Sequence, residues 1–102
     1  MTVPGDNREI STSSIVVASK DQVSSDLAGE TVLLSMESAM YYGLDQVGSR
    51  IWELVREPIR VSDLRDAITR EYDVEPERCE ADVLGFLREL ADKGLIEVRI
   101  AP

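Results

Sequence analysis

Hydrophobic and polar positions change period partway along this chain, and the change marks the passage from strands to helices. Glu30 to Met36 (ETVLLSM) is the most strongly β-forming stretch, and Ala39 to Leu44 (AMYYGL) has an aromatic, alternating pattern. Ala28-Gly29 and Glu37-Ser38 supply turns, so the strands form an antiparallel meander with Ala39–Leu44 at an edge. Gln22 to Leu27 is the better candidate for the first sheet strand. Ile15-Val16-Val17-Ala18 reads either as a short strand or as an arm lying on the domain, and the sequence leaves that choice open.

After Leu44 the spacing becomes helical. Val47, Ile51, Leu54 and Val55 share a face, Trp52 flanks it as a core residue, and Asp45 is a good N-cap. A strand therefore runs directly into a helix, and Gly43 and Gly48 leave room where the two backbones come close. Glu57-Pro58 ends the pattern. Ser62 is the expected cap of a second helix from Asp63 to about Tyr72, with Leu64, Ala67 or Ile68, and Tyr72 as its buried stripe and Val61 as a staple in front. Pro76 suits the first turn of a third helix that has no good N-cap and runs to about Lys93, where Gly94 stops it. Leu95 to Ile100 form a short terminal strand. The predicted class is α+β: a winged helix-turn-helix-like domain, with a three-stranded antiparallel sheet followed by three helices. Residues 1–13, polar and carrying Pro4 and Gly5, are expected to be a flexible N-terminus, and 14–102 the domain.

Composition narrows the chemistry. A chain of 102 residues supports one core, and 43% hydrophobic with 30% charged residues is ordinary for a globular protein. No run of about 18 apolar residues suggests a membrane span, and the N-terminus has neither the basic nor the apolar region of a secretory signal, so a cytoplasmic protein is expected. The net charge is −9, from 20 acidic and 11 basic side chains, and there is no histidine. That removes a His base for a Ser or Cys nucleophile and a His metal ligand, while the single cysteine, Cys79, offers no thiol pair for zinc. No cofactor or metal is implied. Carboxylate catalysis would need two acids in a shared cleft, whereas these acids are scattered along helix faces where solvation accounts for them. Cys79, with acids at Glu77 and Glu80, reads as a small hydrophobe.

The third helix carries more apolar surface than one packing stripe needs. Leu84, Leu87 and Ala91 make one core seam, and Cys79, Val83, Phe86 and Leu90 a second, rotated round the helix. The second seam either packs on the rest of the domain or borders a groove. On the third strand, alternation puts Tyr42 and Met40 with Leu44 on one face and Tyr41 and Ala39 on the other; these are packing residues or the walls of side-chain pockets beside a bare edge. A winged-helix outline also suggests DNA binding or a dimerisation module. A DNA-reading third helix needs Arg and Lys, but this one sets Glu77, Glu80, Asp82, Glu89 and Asp92 against Arg78, Arg88 and Lys93. Arg50, Arg56, Arg60, Arg65 and Arg70 are expected to pair with nearby acids at i,i+3 or i,i+4.

The tract YYGLDQVGSRIWELV (residues 41–55), followed by a short helix and a longer one ending in Gly94-Leu95-Ile96-Glu97-Val98, resembles the PqqD-like domains that bind leader peptides, the recognition elements (RREs) of ribosomal peptide (RiPP) maturation. The wording Tyr-Tyr-x-Leu-Asp-x-Val-Gly-x-x-Ile-Trp-Glu-Leu is most similar to the stand-alone leader-binding B proteins of lasso-peptide biosynthesis, and the resemblance covers residues 22 to 99. It implies a non-catalytic protein whose leader peptide adds as a strand along Ala39, Met40, Tyr41, Tyr42 and Gly43. The apolar anchors of the leader would enter a groove bordered by Cys79, Asp82, Val83, Phe86 and Leu90. It also implies a separate leader peptidase of cysteine-protease type and an ATP-dependent cyclase as partners, and neither nucleic acid nor membrane.

Overall fold

The computed structural model describes residues 10–20, 22–27, 30–36 and 38–99. Among these described residues, six strands and three helices follow in the order β1 (Ile15–Ala18), β2 (Gln22–Leu27), β3 (Glu30–Ser35), β4 (Tyr41–Leu44), α1 (Gln46–Val55), β5 (Ile59–Arg60), α2 (Val61–Tyr72), α3 (Pro76–Asp92) and β6 (Ile96–Arg99). The expected α+β class and the meander β2-β3-β4 are present, but the strands divide between two sheets, β2-β3-β4 and β5-β1-β6. Ile15–Ala18 is the central strand of the second sheet, antiparallel to β5 and to β6. Its continuous apolar run suits that position. Both its partners lie far along the chain, so no local pattern announces the pairing. The expected Ala28-Gly29 turn, Glu37, Ile100 and residues 1–9 of the expected flexible N-terminus lie outside the described residues.

Residues 10–14 lie against the domain. Ile10 is buried in the core, and the carbonyls of Ser14 and Thr12 accept the N–H groups of Val61 at 2.9 Å and Ser62 at 3.0 Å. Those are two of the N–H groups that the first turn of a helix leaves unpaired. The expectation of Ser62 as the cap of α2 is therefore corrected: the helix starts at Val61, Arg60 holds the N-cap position without a side-chain bond, and backbone from the N-terminal segment does the capping. Val61 is accordingly a buried first-turn residue and not a staple ahead of the helix.

α3 follows the sequence more closely. Pro76 stands in its first turn, Glu75 makes no side-chain cap, and Gly94 takes a left-handed φ of 72° beyond its end. Its two expected seams are redistributed. Cys79, Val83 and Leu90 are as buried as Leu87 and Ala91, while Leu84 and Phe86 are half-exposed. The domain wraps α3 from two sides, so positions on both seams meet neighbours.

The joint between β4 and α1 sets the geometry of the sheet against the helices. Asp45 Oδ1 accepts the Gly48 N–H at 2.7 Å, as an N-cap should. Ser49 Oγ accepts the Thr31 N–H at 3.0 Å and donates to the Leu44 carbonyl at 3.3 Å, so a helix hydroxyl takes a place between the start of β3 and the end of β4, at the terminal pair of their ladder. Gly48 is closely approached, but by side chains and not by backbone: a Cβ there would lie 3.1 Å from Asp45 Oδ1, 3.3 Å from the ring tip of Phe86 on α3 and 3.4 Å from Leu44 Cβ. Gly43 is not, since a Cβ there meets nothing within 4 Å.

Ser49 is nearly inaccessible, and its loss strands a buried backbone N–H. Replacing Ser49 by Ala is expected to destabilise the fold by about 1–3 kcal/mol, read by chemical denaturation. A change within error would show that this hydroxyl does not hold the joint.

Candidate functional site

The end of β4, the first turn of α1, the end of α2 and one face of α3 enclose a groove of about 430 Å³. Its lining includes Ile51, Ile68, Cys79 and Val83, each almost fully buried and shared with the core, together with half-buried Val74 and Phe86. Leu44, Gly43 and Gly48 border it, Val47 sits at its mouth, and the two charged residues that line it are both acids, Asp45 and Asp82. Because its lining belongs to the packed interior, the groove exists without an occupant. That is the arrangement expected of an apolar binding site.

Two ion pairs brace the helices around it. Arg50 of α1 reaches Glu71 of α2 through two hydrogen bonds, of 2.8 and 3.1 Å, and Arg65 of α2 reaches Glu80 of α3 at 2.7 Å. The hydrogen bond from Arg50 holds the Glu71 carboxyl below the usual carboxylate range. The Arg50–Glu71 pair is exposed and the Arg65–Glu80 pair partly buried, and surface pairs of this kind contribute modestly to stability. They correct part of the expected pairing pattern: Arg50–Glu53 is an i,i+3 pair, but the braces run between helices.

Of the residues singled out from sequence, Gly43, Cys79, Asp82, Val83 and Phe86 line the groove. Leu90 lies in the core instead. Tyr42 turns its ring toward Lys93, whose Nζ stands 5.3 Å from the ring centroid. Ala39 lies outside the strand, in a turn where it adopts a positive φ of 58°, and Met40 is exposed in the same turn. The strand therefore starts at Tyr41 and not at Ala39. Residues from α1, α2 and the connection between α2 and α3, such as Val47, Ile51, Ile68 and Val74, were not singled out; periodicity marked Val47, Ile51 and Ile68 as apolar, but not as neighbours of α3.

The backbone of β4 has its own asymmetry. The Ser35 N–H donates to the Met40 carbonyl at 3.0 Å, which fixes the phase of the β3–β4 ladder. In an antiparallel pair, hydrogen-bonded and non-bonded residues alternate. With Leu33 opposite Tyr42 and Val32 opposite Gly43, the N–H and C=O of Tyr42 face β3, and those of Tyr41 and Gly43 face the free edge. Among the described residues β4 has no second strand partner. Nor does any group of three or more His, Cys, Asp or Glu there form a metal site, and no helix there is long and apolar enough to cross a membrane.

Comparison with known proteins places this geometry. Residues 30–96 match the family model described as coenzyme PQQ synthesis protein D (PqqD). No curated protein matches the chain. Among solved structures, TbiB1 in complex with the TbiA(beta) leader peptide is similar with a TM-score of 0.74 and 44% identity, over 79% of this chain and 94% of that one. The PqqD truncation of Methylobacterium extorquens PqqCD, a functional stand-alone RiPP recognition element, has a TM-score of 0.75 and 26% identity, over 90% of this chain and 98% of that one. A lasso peptide synthetase B1 complexed with the leader peptide shares the fold at a TM-score of 0.71 and 21% identity, over 79% of this chain and 95% of that one.

The ladder phase has a direct readout. In the free protein the amides of Tyr41 and Gly43 are expected to exchange with solvent much faster than that of Tyr42, measured residue by residue by NMR. Equal protection at all three would mean that the edge is already covered.

Proposed function

This chain belongs to the PqqD family, and we propose that it is a non-catalytic RiPP recognition element that binds the leader peptide of a ribosomally made precursor and delivers it to maturation enzymes. The observation that carries the reading is the free edge of β4 lying beside a preformed apolar groove. An extended peptide can pair with the backbone of Tyr41 and Gly43 while its apolar side chains enter the groove, which is strand addition with side-chain pockets. TbiB1, at 44% identity, is bound to a leader peptide, which supports the same class of ligand here.

The pathway is lasso-peptide biosynthesis in this proposal, and the setting is cytoplasmic. The partners are a separate leader peptidase of cysteine-protease type and an ATP-dependent cyclase. Holding a flexible precursor beside a protease raises the effective concentration of its cleavage site without adding an active-site contact. The absence of histidine and the burial of the one thiol agree with a carrier role. DNA binding is disfavoured because α3 presents more acids than bases, and because Arg50 and Arg65 are committed to Glu71 and Glu80.

Phe86 separates binding from folding, because it lines the groove while half-exposed. Phe86→Asp is expected to lower the melting temperature far less than a core substitution, leaving the domain folded, and to weaken calorimetric binding of the TbiA(beta) leader peptide by about tenfold or more. Val83→Asp, which places a charge in the core, should unfold the domain. Full-strength binding by folded Phe86→Asp would remove the groove from the mechanism, and cleavage of a precursor by the chain alone would end the non-catalytic reading.

A further inference from the structure

Gly43 stands inside β4, where glycine weakens a strand: it has no side chain to pack and loses more conformational freedom on folding than any other residue. Nothing in the folded chain requires it. Its φ is not in the left-handed region, and a Cβ built on it meets no atom within 4 Å. A strand glycine with neither a bulge nor a close neighbour leaves room for a ligand or another backbone to approach closely.

The register shows what is kept clear. On the outer face of the sheet, Val23, Leu34 and Tyr41 stand opposite one another in one row, and Ser25, Val32 and Gly43 in the next. Tyr41 is 71% exposed, and Val32 is half-buried. The second row thus ends at the free edge in a notch, bounded on one side by Tyr41 and next to Val32.

Resting on the leader-binding reading above, we propose that the leader is gripped on both faces of the sheet, and that the residue opposite Gly43 carries a bulky apolar side chain, aromatic or branched, that fills this notch. Strand pairing forces the arrangement. Side chains of directly opposed residues share a face, so leader residues opposite Tyr42 and Leu44 turn toward the groove and the one between them turns outward. The occupant is therefore the same added strand and not a second molecule. Because the N–H and C=O of Gly43 both face the edge, the opposing residue forms a hydrogen-bonded pair with it, and a large ring there covers the bare glycine backbone. The leader should carry a bulky residue at odd spacing from its groove anchors.

The test is selection of a displayed library of random peptides on the wild type, Gly43→Val and Phe86→Asp. Valine keeps the N–H, fits the open space and favours a strand, so Gly43→Val should melt at the wild-type temperature or above. The wild type is expected to enrich a bulky residue one position from the groove anchor. Gly43→Val should lose that preference and bind the wild-type-selected peptides about tenfold more weakly. Unchanged binding and an unchanged preference in folded Gly43→Val would overturn the notch while leaving the groove intact, provided Phe86→Asp loses binding. If Phe86→Asp also binds normally, the groove reading fails as well, and a wild type that retains no peptide overturns both.

Discussion

The Ser49 hydroxyl joins two backbone groups at the point where β4 becomes α1, accepting from Thr31 and donating to Leu44. Much of the molecule follows from this joint. With Asp45 capping the helix one residue after the strand ends, no loop absorbs an error in the angle between sheet and helix. That angle sets Gly48 against Phe86 and so sets the width of the gap between β4 and α3. A looser connection would let α1 roll, and the groove would lose a wall. Binding would then have to supply the cost of ordering it.

In the proposed mode of binding, the groove and the edge divide recognition between two kinds of chemistry. Backbone pairing along β4 is indifferent to the sequence of the added strand and supplies alignment. The groove would supply selectivity, because its lining is apolar and already packed. A protein that must accept one short motif in an otherwise variable, unstructured peptide benefits from this division. The ordering of the peptide opposes binding, and the preformed site avoids adding a second ordering term of its own.

Charge plays a secondary part in the fold. The ion pairs between helices lie at the surface, exposed or partly buried, and are individually weak, yet each joins elements that the apolar core also joins. They limit sliding of α2 between α1 and α3 more than they add stability. The net charge of −9 discourages edge-to-edge pairing of like-charged copies of a domain whose β4 has no second strand partner among the described residues.

The sequence by itself determined the local elements: the strand running into a helix at Asp45, the Pro76 start and Gly94 stop of α3, the meander of β2 to β4, and the apolar excess on α3. Each depends on residues within a few positions of one another, through capping, φ restriction or side-chain period. Only the tertiary structure decided the rest. The central place of Ile15–Ala18 depends on β5 and β6, and the cap of α2 comes from Thr12 and Ser14, dozens of residues upstream. Which apolar residues of α3 are covered was equally illegible, since Cys79 and Leu90 are buried by neighbours that helical period cannot name, and Phe86 is left half-open by the same packing. The assignment of Gly43 to a close contact failed for the same reason. A glycine's sequence neighbours show that space is needed, but only the fold shows which side of the strand is empty.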